Sequence, residues 1–152
     1  MSQYVLSTEY DLASKYETTI QPFWLNNVTH GKFSGKDDLD IGYAQVVHPD
    51  AIGSVVISSG RIESLLKYKE IVYDFYQNGY SVFIHDHRGQ GLSGRMLDNP
   101  QIGYVQCFDD YVYDFKQFID QVVSESSQHK PKLLCHSMGG AIGALTVMRY
   151  PE

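Results

Sequence analysis

The apolar positions of the chain follow two periods, and the switches between them mark its elements. Gly31 to Gly35 reads as a short strand. Leu39 to Val47 reads as a second, with Leu39, Ile41 and Tyr43 alternating against polar neighbours. Lys36-Asp37-Asp38 reads as a solvated turn between them; with Asp40 these acids lack the spacing and closing Glu of a calcium loop. His48-Pro49-Asp50 reads as another turn, with His48 exposed to solvent. Ile52 to Ser58 carries Val55-Val56-Ile57, the continuous apolar run of a strand covered on both faces. Beyond the tight loop Ser59-Gly60-Arg61 the period lengthens. Leu65, Tyr68, Ile71, Val72, Phe75 and Tyr76 predict a helix over about 64–77, stopped by Asn78-Gly79. Tyr80 to His85 is the next strand. After an irregular stretch with Pro100 and Gly103, the residues Tyr111, Val112, Phe115, Phe118, Ile119, Val122 and Val123 predict a second helix over about 109–125. A loop to Pro131 leads into a short apolar run ending at Cys135, and a helix-like segment of small and apolar residues continues to Tyr150. Strands alternating with helices imply βαβ units, hence an α/β fold with a mostly parallel sheet and flanking helices. Residues 1–30 are polar and mixed and read as an N-terminal extension anchored by Pro22, Phe23 and Trp24, with residues 31–152 as the fold proper.

Composition narrows the function. At 152 residues the chain is one domain at most, and 43% hydrophobic with 20% charged residues is ordinary for a soluble globular protein. A net charge of −6 without a Lys/Arg cluster argues against nucleic acid as a partner. Cys107 and Cys135 give no disulfide framework, and both lie in segments that read as buried. Met1 to Asn26 carries acids and lacks the basic start and apolar core of a signal peptide. No apolar run approaches the ~20 residues that span a bilayer. A cytoplasmic location is expected, with peripheral attachment to the inner face of the membrane left open.

The chemistry concentrates at Cys135-His136-Ser137-Met138-Gly139. A strand that stops at His136, a serine, and small residues opening a helix form the context of a nucleophile elbow, written G-x-S-x-G. The turn is so sharp that side chains two places either side of the serine crowd each other. Gly139 meets that demand, and Cys135 stands where the first glycine belongs. Two other motifs compete. Gly89-Gln90-Gly91-Leu92-Ser93-Gly94 satisfies G-x-G-x-x-G after a strand, the fingerprint of a dinucleotide-binding oxidoreductase, but Pro100 leaves little room for the helix that fingerprint requires. His85 and His87 are two residues apart at a strand end with no evident third ligand, so no metal site is assigned.

In order along the chain, three segments resemble the α/β-hydrolases of the monoacylglycerol lipase and lysophospholipase type. Ser59-Gly60-Arg61-Ile62-Glu63-Ser64 with Tyr68 resembles the loop and helix after their third strand, most of all in the bacterial lysophospholipase L2 branch. Asp86-His87-Arg88-Gly89-Gln90-Gly91-Leu92-Ser93 resembles their D-x-R-G-x-G-x-S loop, and His136-Ser137-Met138-Gly139-Gly140 their H-S-M-G-G elbow. The resemblance spans roughly Gly31 to the end. It implies that Ser137 attacks an ester carbonyl, with the backbone N–H groups of Met138 and Arg61 as oxyanion donors. Cys135 for glycine or alanine, and Ser59 for the histidine of the usual H-G loop, are the departures. The triad Asp and His would follow the serine in the family's order, so the chain reads as the N-terminal half of the enzyme, ending after the elbow helix. None of His85, His87, His129 and His136 is placed to serve as the base, so the chain by itself is expected to be inactive. The resemblance implies no cofactor. It implies a lysophospholipid or monoacylglycerol substrate and, as partner, the remaining half of the same enzyme. A non-catalytic remnant that binds acyl ligands is the other alternative.

Overall fold

The computed structural model describes residues 4–151. Five strands form one sheet: β1 (Thr29–Ser34), β2 (Asp40–Val46), β3 (Gly53–Ser58), β4 (Tyr80–His85) and β5 (Lys132–Cys135), in the order β1-β2-β4-β3-β5. The pairs β1–β2 and β2–β4 are antiparallel, whereas β3 pairs parallel with both β4 and β5. In chain order the helices are α1 (Leu12–Lys15), α2 (Gln21–Asn27), α3 (Lys69–Gln77), α4 (Phe108–Phe118), α5 (Ser124–Ser126) and α6 (Met138–Arg149). A π-helical turn, Tyr16–Ile20, joins α1 to α2, and another, Ile119–Val123, joins α4 to α5. Among the described residues no helix is long and apolar enough to cross a membrane.

Alternation along the central strands sorts the core into two layers. Val55, Ile57, Val82 and Ile84 face Phe23, Trp24, Leu65, Tyr68 and Val72 from α2, α3 and the turn before it. Val56 and Phe83 face Tyr111, Phe115, Phe118, Val122 and Ile142 on the α4 and α6 side. Every residue of β3 is buried, as the run Val55-Val56-Ile57 predicts. At about 25 cal/mol per Å² of apolar surface removed from water, these two layers are the main stabilising term. Strand β5 lies at the sheet's edge, with Lys132, Leu134 and Cys135 exposed.

Several local expectations change. The helix expected from residue 64 opens as a 3₁₀ turn, Leu65–Tyr68, with the Ser64 hydroxyl accepting from Leu66 N–H. It ends where expected, at Gly79 with φ 85°. Residues within 1–30 are helical from Leu12 to Asn27, and Trp24 is only 3% exposed. His48 is half-buried against the Tyr76 ring and accepts a bond from Asp50 N–H at 3.1 Å, so it caps its turn. Both cysteines are exposed, against expectation. Cys135 closes an edge strand, and Cys107 stands in extended backbone just before α4.

Candidate active site

Ser137 sits between the last residue of β5 and the first of α6, with φ 52° and ψ −121°. A left-handed φ in a residue with a Cβ costs ~1–3 kcal/mol and persists only where its surroundings over-determine it. Here they do. His136 N–H donates to Ser58 O at 3.0 Å, tying the elbow to β3, and the N–H groups of Gly139 and Gly140 turn back to His136 O and Ser137 O at 2.9 and 2.8 Å. A Cβ on Gly139 would collide with the carbonyl oxygens of Ser58 and Ser59, so glycine is required there by close approach of two backbones. The departure at Cys135 is accommodated across the turn. A Cβ on Gly143 would lie 2.7 Å from Cys135 Sγ, so the extra volume of the thiol is taken up by a glycine on α6. The result lifts an exposed Ser137 off the carboxyl edge of the sheet.

The Ser59-Gly60-Arg61 loop leaves β3 at the same edge and packs on the elbow. A Cβ on Gly60 would lie 3.0 Å from His136 Nδ1. Among the described residues, no backbone or side-chain acceptor takes the N–H of Arg61 or of Met138. Glu63 binds the two segments together. Its Oε2 accepts from Gly60 N–H and Tyr68 O–H, each at 2.6 Å, and lies 3.1 Å from His136 Nδ1, while Lys67 pairs with Oε1 at 2.5 Å. Burial alone would push this carboxyl up, but the bonds from Lys67, Tyr68, Gly60 and His136 outweigh it and bring Glu63 down to about 2. Tyr68 moves the other way, raised by burial and by its bond to Glu63.

The loop after β4 explains the D-x-R-G-x-G-x-S pattern as architecture. Asp86 is buried, and its Oδ1 accepts from Leu65 N–H at 2.6 Å and its Oδ2 from Leu92 N–H at 2.7 Å. Burial raises its carboxyl. Gly91, at φ 52°, lies so close to this carboxylate that no Cβ fits. Arg88, 2% exposed, forms a fork on Asp114 with Nε and Nη2 at 2.6 and 2.8 Å, locking the loop to α4. Ser93 Oγ donates to Asp86 O and accepts from Gly42 N–H. No helix opens in this glycine loop; the next one, α4, begins at Phe108. The dinucleotide alternative built on Gly89, Gly91 and Gly94 therefore fails, because nothing presents helix N–H groups to a pyrophosphate.

Residues 49–152 match the family model described as Serine aminopeptidase, S33. The chain belongs to that family. This S33 member is 44% identical over 131 residues to lysophospholipase L2 of Escherichia coli K12, covering 85% of the chain and 38% of the relative. It is 33% identical over 99 residues to human monoglyceride lipase, covering 64% and 30% respectively. The crystal structure of an α/β hydrolase from Novosphingobium aromaticivorans superposes with a TM-score of 0.67 at 15% identity, covering 82% of this chain and 41% of that one. The fold is thus the α/β-hydrolase fold, with its mostly parallel sheet and flanking helices. The chain spans well under half the length of these curated relatives.

Among the described residues no histidine of the S33 chain hydrogen-bonds Ser137 Oγ. His85 ends β4, two strands from β5, and just beyond it His87 Nε2 is held 3.0 Å from Ser59 O, the carbonyl that crowds Gly139. Both are buried, and burial pushes His87 down to about 4 and His85 down as well. His136 turns to Glu63. His129 precedes β5, at the opposite edge of the sheet. Among the described residues no group of three or more His, Cys, Asp or Glu is arranged to hold a metal ion. Sequence reasoning assigned no task to Glu63, Tyr68 or Gln90. The partners of Gln90 and the His136 partner of Glu63 lie far along the chain, and the Tyr68–Glu63 bond at i,i+5 follows no regular helical spacing, so only the pairing of Glu63 with Lys67 at i,i+4 was legible in the sequence.

Proposed function

We propose that Ser137 is the nucleophile of a carboxylic ester hydrolase that cleaves the fatty-acyl ester of a lysophospholipid or monoacylglycerol through an acyl-serine intermediate. The observation that carries this reading is the strained Ser137, at φ 52° on a strand-to-helix turn, with the Ser59-Gly60-Arg61 loop packed on the residue before it. In this mechanism the Ser137 hydroxyl loses its proton to a base and adds to the ester carbonyl. The carbonyl oxygen becomes an oxyanion held by the N–H groups of Arg61 and Met138. The intermediate collapses, and the alcohol leaves with the proton that the base took from Ser137. Water then adds to the acyl-serine in the same way, giving its proton to the base, which returns it to Ser137 as the fatty acid departs. The relatives named lysophospholipase L2 and monoglyceride lipase support the acyl-ester class.

The base and its orienting carboxylate are proposed to come from sequence beyond these residues, since no described histidine bonds to Ser137 Oγ. Residues 1–152 alone are therefore expected to turn over lysophospholipid and activated short-chain esters negligibly, because acid–base assistance alone is worth ~10²-fold or more. The test is hydrolysis of a lysophospholipid and of a monoacylglycerol by the full-length protein and by residues 1–152, with Ser137→Ala as control. Full-length turnover abolished by the substitution supports the reading. Robust turnover by residues 1–152 would mean that one of the described histidines is the base.

A further inference from the structure

We propose that Gln90 and Glu63 are positioning residues that aim the Arg61 N–H at the space beside Ser137. This presupposes Ser137 as the nucleophile. A trans peptide points its C=O and its N–H in opposite directions. In the Gly60–Arg61 peptide the C=O accepts from Gln90 Nε2 at 2.9 Å. Gln90 is buried, so this carbonyl is turned into the protein and the Arg61 N–H is turned out of it. The same amide donates to Glu63 O at 2.9 Å and accepts from Ile62 N–H at 3.2 Å. One side chain thus fixes three backbone groups of the loop, on both sides of Arg61. It also holds Ile62 at φ 61°, which a β-branched residue adopts only under constraint.

Glu63 supplies the second restraint. Gln90 sets the direction of the Arg61 N–H, and Glu63 sets the distance of its loop from the elbow. The carboxylate takes Gly60 N–H from the loop and meets His136, the residue before the nucleophile. Tyr68 and Lys67 keep it in place. A Cβ at Gly60 would lie 2.9 Å from Glu63 Oε2, so the approach depends on glycine there. An oxyanion donor works only within hydrogen-bond reach of where the charge develops, and removing one costs ~10²–10³ in kcat. Gln90 stands between Gly89 and Gly91 in the loop after β4. That loop is therefore coupled to the candidate oxyanion loop as well as to α4.

The test uses the full-length protein, with active sites counted by fluorophosphonate titration. Gln90→Leu and Gln90→Glu both lose the two amide donors, and Glu63→Gln keeps the shape of the carboxylate without its charge. For the Gln90 variants, kcat per titrated site should fall ~10- to 100-fold, with KM changed by no more than about threefold. The Ki of a trifluoromethyl ketone, whose adduct carries the oxyanion, should rise by the same factor as kcat falls. Glu63→Gln should show the same pattern at roughly 3- to 10-fold, and it keeps the assignment testable should both Gln90 variants fail to fold. Variants with a lower melting temperature but unchanged kcat per site and unchanged Ki would overturn the assignment, leaving these residues as structural cross-links. Turnover retained by Ser137→Ala would instead remove the hydrolase reading itself, so the two failures are distinguishable.

Discussion

Two adjacent glycines provide a matched perturbation of the elbow. Gly139→Ala and Gly140→Ala each add one methyl group to the first turn of α6, and each gains at most ~1 kcal/mol of helix propensity. Their surroundings differ. A Cβ at Gly140 meets nothing within 4 Å, whereas at Gly139 it overlaps the carbonyl oxygens of Ser58 and Ser59. Neither oxygen can rotate away, because both belong to backbone at the end of β3. The overlap must be relieved by moving the elbow off the strand, against the bond from His136 N–H to Ser58 O. Overpacking of this kind costs ~1–3 kcal/mol, and rigid backbone places it at the upper end. The propensity gain is common to both and cancels, so Gly139→Ala should be ~2–3 kcal/mol less stable than Gly140→Ala by urea unfolding. Displacing Ser137 by about an ångström should also slow its fluorophosphonate labelling in the full-length protein by ~10²-fold. Equal stability of the two variants, with labelling at the wild-type rate in both, would refute the close-approach argument.

Other perturbations probe the rest of the frame. Arg88→Met leaves Asp114 buried without its cation, while Asp110 keeps Lys36, and should cost ~3–5 kcal/mol in a urea titration, much of it recovered in Arg88→Met/Asp114→Leu. Burial depresses His87 from 6.5 to about 4, with His85, Tyr111 and Ser59 O as its neighbours. The unfolded chain takes up that proton first, so the His87 contribution is full above pH 6.5 and declines by about 3 kcal/mol as the pH falls to 4; His87→Gln should reduce that slope in urea midpoints measured across the window, and buried His85 keeps part of it. The outer side of β5 is unpaired in the described sheet, and an apolar cavity of ≈ 490 Å³ opens beside it, lined in part by Leu6, Ile71, Phe75 and Leu133. Residues 1–152 should therefore self-associate, and sedimentation velocity showing a stable monomer at high concentration would contradict this.

The elements were readable wherever burial imposes a period. Tyr80–His85 and Lys132–Cys135 match their expected bounds, and the face predicted for α4 is the one that packs on β3 and β4. Ser137 was readable because a sharp turn dictates small neighbours in sequence. The errors arose where long-range contacts decide. Cys135 looks buried in an apolar run, but its exposure depends on the strand order rather than on its neighbours in sequence. The helical turns from Leu12 to Ile20 have no strong apolar period and take shape against α3. Glu63, Gln90 and the fork of Arg88 on Asp114 act across 26 to 73 residues of chain, a separation that no local pattern encodes.

The central claim is that Ser137 is the nucleophile. Its most direct measurement is to react the full-length protein with a fluorophosphonate, digest it, and locate the adduct by mass spectrometry. The account predicts one adduct, on the peptide that contains Ser137, absent from Ser137→Ala, with loss of ester hydrolysis in step with its formation. An adduct on another residue, or ester hydrolysis undiminished after Ser137 is fully labelled, would contradict it.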